Sequence, residues 1–157
     1  MNESTHFLYP SAIFASKTPY RISTILGSCV AVCLWDNMLS VGGMNHFMLP
    51  LWNGQGLASP RYGNIAMDKL IGKMLSLGAK RYNLKAKVFG GSEVISNANS
   101  HFNIGKRNIL IARQILDDEK IPLIGSSTGG KLGRKIIFFT QTGEVLHRYV
   151  GAQSNKK

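Results

Sequence analysis

Leu26-Gly27-Ser28-Cys29-Val30-Ala31-Val32-Cys33-Leu34-Trp35-Asp36 and, after a polar break, Val41-Gly42-Gly43-Met44-Asn45-His46-Phe47-Met48-Leu49-Pro50 decide how this chain folds. Val30 to Trp35 is rich in β-branched and aromatic residues without helical spacing and reads as a strand, with Val41 to Leu49 as its return. Asp36-Asn37-Met38-Leu39 supplies the turn chemistry between them. With Asn37 and Met38 centring an antiparallel hairpin, Asp36 falls opposite Leu39 and Cys29 falls opposite His46. Directly opposed residues on one face have Cβ atoms about 4.5–5.5 Å apart, so this register sets a thiol beside an imidazole.

Outward from the hairpin, Ile22 to Leu26 reads as a preceding strand, and Pro50 to Pro60 as a loop of Pro, Asn, Gly and Ser. A helix is expected from Ser59-Pro60, with Ser as N-cap and Pro at the first helical position. Met67, Leu70, Ile71, Met74 and Leu75 form its apolar stripe, and Gly78 stops it. Lys85 to Phe89 is a short strand ending in Gly90-Gly91. A second helix follows Asn103, with Ile104, Ile111, Ala112, Ile115 and Leu116 on one face. Ile121 to Ile124, Lys135 to Thr140 and Glu144 to Val150 are further strands, the last two joined by a hairpin loop at Gln141-Thr142-Gly143. Strands interrupted by two helices predict an α/β fold, a mixed sheet covered by helices on one side.

The whole chain, residues 1–157, is short enough for one domain, with flexible ends expected at 1–6 and 152–157. Hydrophobic residues make up 44% and charged residues 17%, which excludes general disorder. No apolar run approaches the ~18–20 residues of a membrane span, the first residues lack a basic secretory n-region, and two cysteines make no disulfide framework. A cytoplasmic protein without membrane insertion is expected. The net charge of +11 favours an acidic partner. The basic residues are spread along the chain, with no run of five or more to form a nucleic-acid arm, so no nucleic-acid partner is expected.

The Cys29–His46 pair carries the chemistry. A free thiol has a pKa near 8.5 and is a weak nucleophile until a base takes its proton. A neighbouring imidazole can do so and then protonate a leaving amine. Gly27 and Ser28 set a tight backbone beside Cys29, where N–H groups can face a developing oxyanion. A hydroxyl can orient the imidazole through its other nitrogen, as a carboxylate does in serine proteases. Ser23 shares strand parity with Cys29; Thr24 is the fallback, since it points the other way unless Gly27 makes a bulge. The competing reading is packing, because cysteine is among the most buried residue types; Cys33, among Ala31, Val32 and Leu34, suits that role. Cys29, Cys33 and His46 are one ligand short of the four that close a structural zinc site, so no metal and no cofactor are expected. Gly125-Ser126-Ser127-Thr128-Gly129-Gly130-Lys131 imitates a phosphate-binding loop, but Leu132 stands where Ser or Thr must hold magnesium and a strand follows instead of a helix. It reads as a glycine turn between strands. His6, His101 and His147 carry no motif.

The Cys and His blocks closely resemble those of the CheD family, the chemoreceptor glutamine deamidases of bacterial chemotaxis. The likeness continues at Gly90-Gly91, Asn103-Ile104-Gly105-Lys106-Arg107-Asn108, and Gly129-Gly130 with Gly133-Arg134, over about residues 15 to 150. It implies a layered α/β/β sandwich like that of cysteine hydrolases that include deamidating toxins. It also implies Cys29 as nucleophile and His46 as general base. The family's third member is a Thr six residues before the Cys, a position held here by Ser23. An acidic residue two positions before the second Gly-Gly pair is usual in the family, where this chain has Ser127. The implied reaction is hydrolysis of receptor glutamines to glutamate on cytoplasmic helices, with a CheC phosphatase as a further partner in some lineages. The alternative is a catalytically silent module of the same fold that regulates by docking to a chemotaxis protein.

Overall fold

The computed structural model describes residues 4–93 and 103–151. In chain order the elements are β1 (Ser4–Phe7), β2 (Ile13–Ser16), β3 (Tyr20–Leu26), β4 (Val30–Asp36), β5 (Val41–Asn45), α1 (Gly63–Ser76), β6 (Leu84–Gly90), α2 (Ile104–Asp118), β7 (Leu123–Thr128), β8 (Gly133–Phe139) and β9 (Val145–Val150). The strands form two sheets, one ordered β1-β3-β8-β9 and the other β2-β5-β4-β6-β7. Both are mixed: β1 runs parallel to β3 and β6 parallel to β7, while the remaining pairs are antiparallel. Both helices pack against the five-stranded sheet, whose other face meets the four-stranded sheet. The layers are therefore α/β/β, as the resemblance implies.

Strand β4 shows why. All seven of its residues are buried, because it is central and covered on both faces. Val30, Val32 and Leu34 join Met67, Leu70, Met74, Ala112 and Leu116 in the core under the helices. Ala31, Cys33 and Trp35 join Ile22, Leu26, Ile136 and Phe138 in the core between the sheets, with Cys29 packed against it. A two-sided core produces a nearly continuous apolar run in place of alternation, and the alternating side-chain directions of a strand fix which core each residue enters.

The hairpin register differs from the sequence expectation. Asp36 pairs with Val41, not Leu39, and Cys33 with Met44; the turn spans Asn37 to Ser40. Asp36 builds that longer turn: its Oδ1 accepts from the N–H groups of Met38 and Leu39, and its Oδ2 from Lys80 N–H and Asn83 Nδ2. Those donors hold its carboxyl below the usual range despite the opposing effect of burial. The slip is two residues, an even number, so every side chain keeps its face.

Helix α1 starts at Gly63, with Tyr62 as N-cap and no side-chain cap, instead of at Ser59-Pro60. Carbonyls of the segment that follows β5 take over the capping: Leu49 O accepts from Gly63 N–H and Pro50 O from Asn64 N–H. Ser59 O closes a turn with Tyr62 N–H before the helix begins. Gly63 is there because a Cβ would press on Phe47, Ile111 and Pro50 O. Two short strands went unpredicted. Ser4–Phe7, partly assigned to a flexible end, is β1, in which His6 stacks on Phe14, and Ile13–Ser16 is the sheet-edge strand β2. Strand β7 continues through Gly125–Thr128, so the glycine turn is confined to Gly129 and Gly130, both at positive φ. His101 and residues 152–157 lie outside the described residues. Among the described residues no helix is long and apolar enough to cross a membrane.

Candidate active site

Three strands direct Cys29, His46 and Thr24 toward the space between the sheets. Cys29 precedes β4 and packs into the inter-sheet core. His46 follows β5 with the same parity as Met44, a member of that core. Thr24 alternates with Ile22 and Leu26, whose side chains also lie there. The β4–β5 ladder breaks at the site: after Cys33 and Met44 the strands rejoin only at Val30 and Phe47. In the gap Asn45 Oδ1 accepts from Val32 N–H, and the His46 carbonyl accepts from Ser11 N–H in the β1–β2 connection. With Val30 opposite Phe47, Met48 takes the place opposite Cys29, and strand parity sets His46 one diagonal step from Cys29 on the same face.

The imidazole has one nitrogen engaged and one free. Thr24 Oγ1 lies 2.7 Å from His46 Nδ1 and donates to the Leu8 carbonyl at 2.7 Å. A hydroxyl whose proton is committed to a carbonyl faces the ring with a lone pair, so Nδ1 carries the hydrogen and Nε2 the basic lone pair. Nε2 is buried and has no partner among the described residues, while His46 itself is 2% exposed. Burial pulls the imidazole down to about 4, against the raising effect of the Leu8 carbonyl. Burial also raises the Cys29 thiol, partly offset by its own backbone N–H. Both shifts favour the uncharged forms, a thiol on Cys29 and a neutral imidazole on His46.

Ser23, the residue favoured by counting along the sequence, lies on the other face of β3. Ile22, Thr24 and Leu26 are buried, and Ser23 between them is only half-buried. Parity counting fails here because Gly27-Ser28-Cys29 carries the chain from one sheet to the other; β3 and β4 do not share a pleat. The hydroxyl beside His46 belongs to Thr24.

The turn at Gly27–Cys29 is held carbonyl by carbonyl. Gly27 O accepts from Ser92 N–H and Ser92 Oγ, at 3.0 and 2.9 Å. Ser28 O accepts from Asn108 Nδ2 at 3.0 Å, and Cys29 O from Gly91 N–H at 2.9 Å. In a trans peptide the N–H points away from the C=O, so the Ser28 and Cys29 N–H groups face away from these anchors. The Ser28 N–H meets no backbone acceptor among the described residues, and the Cys29 N–H lies against its own sulfur, so both sit beside the nucleophile. The glycines of Gly90-Gly91 are sterically required: both have positive φ, and a Cβ on Gly90 would collide with Cys29 O.

Sequence reasoning missed Asn108, the Leu8 carbonyl and Ser92. Asn108 could have been found, since it is a polar residue at helical spacing on the apolar stripe of Ile104, Ile111 and Ala112. Cys33 is inert core as expected, fully buried against Met44, with its thiol pushed up by burial. Among the described residues no group of His, Cys, Asp and Glu is arranged to hold a metal ion. Ser127, at the position where the family usually has an acid, accepts from Arg134 Nε at 3.0 Å.

Comparison with known proteins bears on this arrangement. The family model described as CheD chemotactic sensory transduction matches residues 48–149. A protein of Trichlorobacter lovleyi is 50% identical over 141 residues, covering 90% of this chain and 88% of that one. One of Sulfurimonas denitrificans is 44% identical over 151 residues, covering 96% and 97%. Both carry the name probable chemoreceptor glutamine deamidase CheD. Alignments of that length within 157 residues take in positions 24, 29 and 46. The crystal structure of a Neisseria meningitidis protein of the DUF152 family model superposes with a TM-score of 0.50 at 9% identity, over 82% of this chain and 64% of that one; this likeness concerns the fold.

Proposed function

The chain belongs to the CheD family, and from that premise we propose that it is a chemoreceptor glutamine deamidase in which Cys29 is the nucleophile, His46 the acid–base and Thr24 the hydroxyl that orients it. The observation that carries the residue roles is the free, buried Nε2 of His46, whose tautomer is fixed through Thr24 by the Leu8 carbonyl, on the face that Cys29 shares.

The reaction follows from the neutral resting pair. As Cys29 Sγ bonds to the glutamine amide carbon, its proton passes to His46 Nε2 and the carbonyl electrons move onto oxygen. The N–H groups of Ser28 and Cys29 face that oxyanion, the type of contact worth about 10²–10³ in turnover per donor. The imidazolium returns the proton to the amide nitrogen, the C–N bond breaks and ammonia leaves. Water then attacks the thioester carbonyl while His46 takes its proton, and collapse releases a glutamate side chain and regenerates the thiol. Thr24 keeps Nε2 in the basic form at the start and accepts from Nδ1–H throughout.

The substrate is a glutamine on the cytoplasmic helices of a chemoreceptor, which places the enzyme in the cytoplasm, and the +11 charge suits an acidic helical surface. A CheC-type phosphatase is a second partner in this reading. Incubation with receptor cytoplasmic fragments, followed by peptide mass spectrometry, tests it: defined glutamines convert to glutamate with wild type and not with Cys29→Ala. Receptor binding without conversion would make the chain a docking module instead.

A further inference from the structure

Helix α2 sends one polar side chain into the core, and it touches both halves of the site. Asn108 is fully buried, and its Nδ2 donates to Ser28 O and to Met48 O, each at 3.0 Å. The first carbonyl belongs to the residue before Cys29 and the second to the residue two beyond His46. An amide nitrogen has two hydrogens, so both are used. Its Oδ1 is buried without a partner among the described residues, so the amide's engagement here is as a donor.

We propose that Asn108 is a positioning residue for the oxyanion site: by binding Ser28 O it holds the Ser28–Cys29 peptide with the Cys29 N–H turned toward the substrate. The C=O and N–H of that peptide are antiparallel, so the plane carrying the carbonyl to Asn108 aims the N–H at the other side. The following plane is held independently by Gly91 N–H on Cys29 O and by the Val30–Phe47 pair. The preceding plane is held by Ser92 on Gly27 O. Asn108 is the remaining anchor. Without its donor the Ser28 carbonyl, part-buried under α2, loses its side-chain partner, and rotation of this one plane lets it seek a new one and removes the oxyanion donor. The second hydrogen, on Met48 O, fixes the amide so that it cannot follow such a rotation. Gly105 belongs to the same device, because a Cβ there would collide with Gly91 O and Ser92 O and lift α2 from the turn.

This inference rests on the deamidase reading, and its test separates the two. Asn108→Leu keeps the volume and removes both donors; Asn108→Ser is a smaller second variant should the first not fold. Each is compared with wild type for receptor deamidation and for alkylation of Cys29 by iodoacetamide, a reaction that needs the thiolate and no oxyanion donor. The expected result is a 10- to 100-fold fall in kcat with KM within twofold, and a Cys29 alkylation rate and pH profile within twofold of wild type. The proposal is overturned if a folded variant keeps its kcat, or if deamidation and alkylation fall together, which would make Asn108 a general support of the site. Failure of wild type to deamidate would instead overturn the functional reading.

Discussion

Replacing Thr24 by Val removes one hydroxyl from a side chain with no exposed surface and preserves its shape. Two hydrogen bonds disappear, the 2.7 Å contact with His46 Nδ1 and the 2.7 Å bond to Leu8 O. At about 1 kcal/mol each, stability falls by about 2 kcal/mol, which for a chain of this size lowers Tm by about 4–8 °C. The catalytic consequence is separate. Without the hydroxyl the tautomer with hydrogen on Nδ1 loses an anchor, and the imidazolium formed during attack loses an acceptor. A 10- to 100-fold fall in kcat/KM corresponds to about 1.4–2.7 kcal/mol of transition-state stabilisation. The assay is deamidation of a receptor fragment, below the melting point of both proteins, with Ser23→Ala and Thr24→Ser alongside. Ser23→Ala should stay within twofold of wild type, because that side chain lies on the opposite face of β3, and Thr24→Ser should recover most of the rate. A Thr24→Val enzyme with wild-type kcat/KM, or a Ser23→Ala enzyme that loses as much, would refute the assignment of the orienting hydroxyl.

Two further outcomes follow from the buried polar groups. His46 has an ordinary pKa of 6.5 and a folded value of about 4, so between these values the unfolded chain binds more protons and stability rises with pH. The contribution is fully present above about 6.5, lost as pH falls through about 4, and amounts to about 3 kcal/mol. Denaturant unfolding at pH 7 and pH 4.5 should show this loss for wild type and a smaller one for His46→Gln, and equal pH dependence in both would contradict it. Arg134 is 2% exposed with Nη1 unpartnered, and it meets Ser127 Oγ and the Tyr149 ring but no carboxylate among the described residues. Ser127→Asp should therefore raise stability by about 1–3 kcal/mol. It should also raise the pKa of His147, which burial and Arg134 now depress; an unchanged melting point together with an unmoved His147 titration in NMR would count against an uncompensated cation.

The sequence placed Cys29 and His46 on one face despite a wrong register, because the turn was misjudged by two residues and an even slip leaves each side chain on its face. It misdirected the choice of hydroxyl. Strand parity holds only along one pleat, and Gly27, which marked a possible break, did not say that the chain changes sheets there. The resemblance pointed to Ser23 as well, whereas the hydroxyl against His46 is that of Thr24, the fallback in the sequence reading. Strands β1 and β2 were illegible because each has four residues, too few to show alternation, and each is held by pairing with distant chain. The start of α1 was misplaced since its first N–H groups are capped by Leu49 O and Pro50 O, tertiary partners that no capping motif encodes. Asn108 was visible as an anomaly on an apolar stripe, but which carbonyls it would reach depended on how α2 packs over the turn.

The covalent intermediate offers the most direct test of the account. Rapid acid quench of wild type with a glutamine-containing receptor peptide, followed by proteolysis and mass spectrometry, should find the peptide, less ammonia, joined through a thioester at Cys29. The adduct should form more slowly in His46→Gln and never appear at Cys33. An adduct on any other residue, or glutamate formation by Cys29→Ala at the wild-type rate, would contradict it.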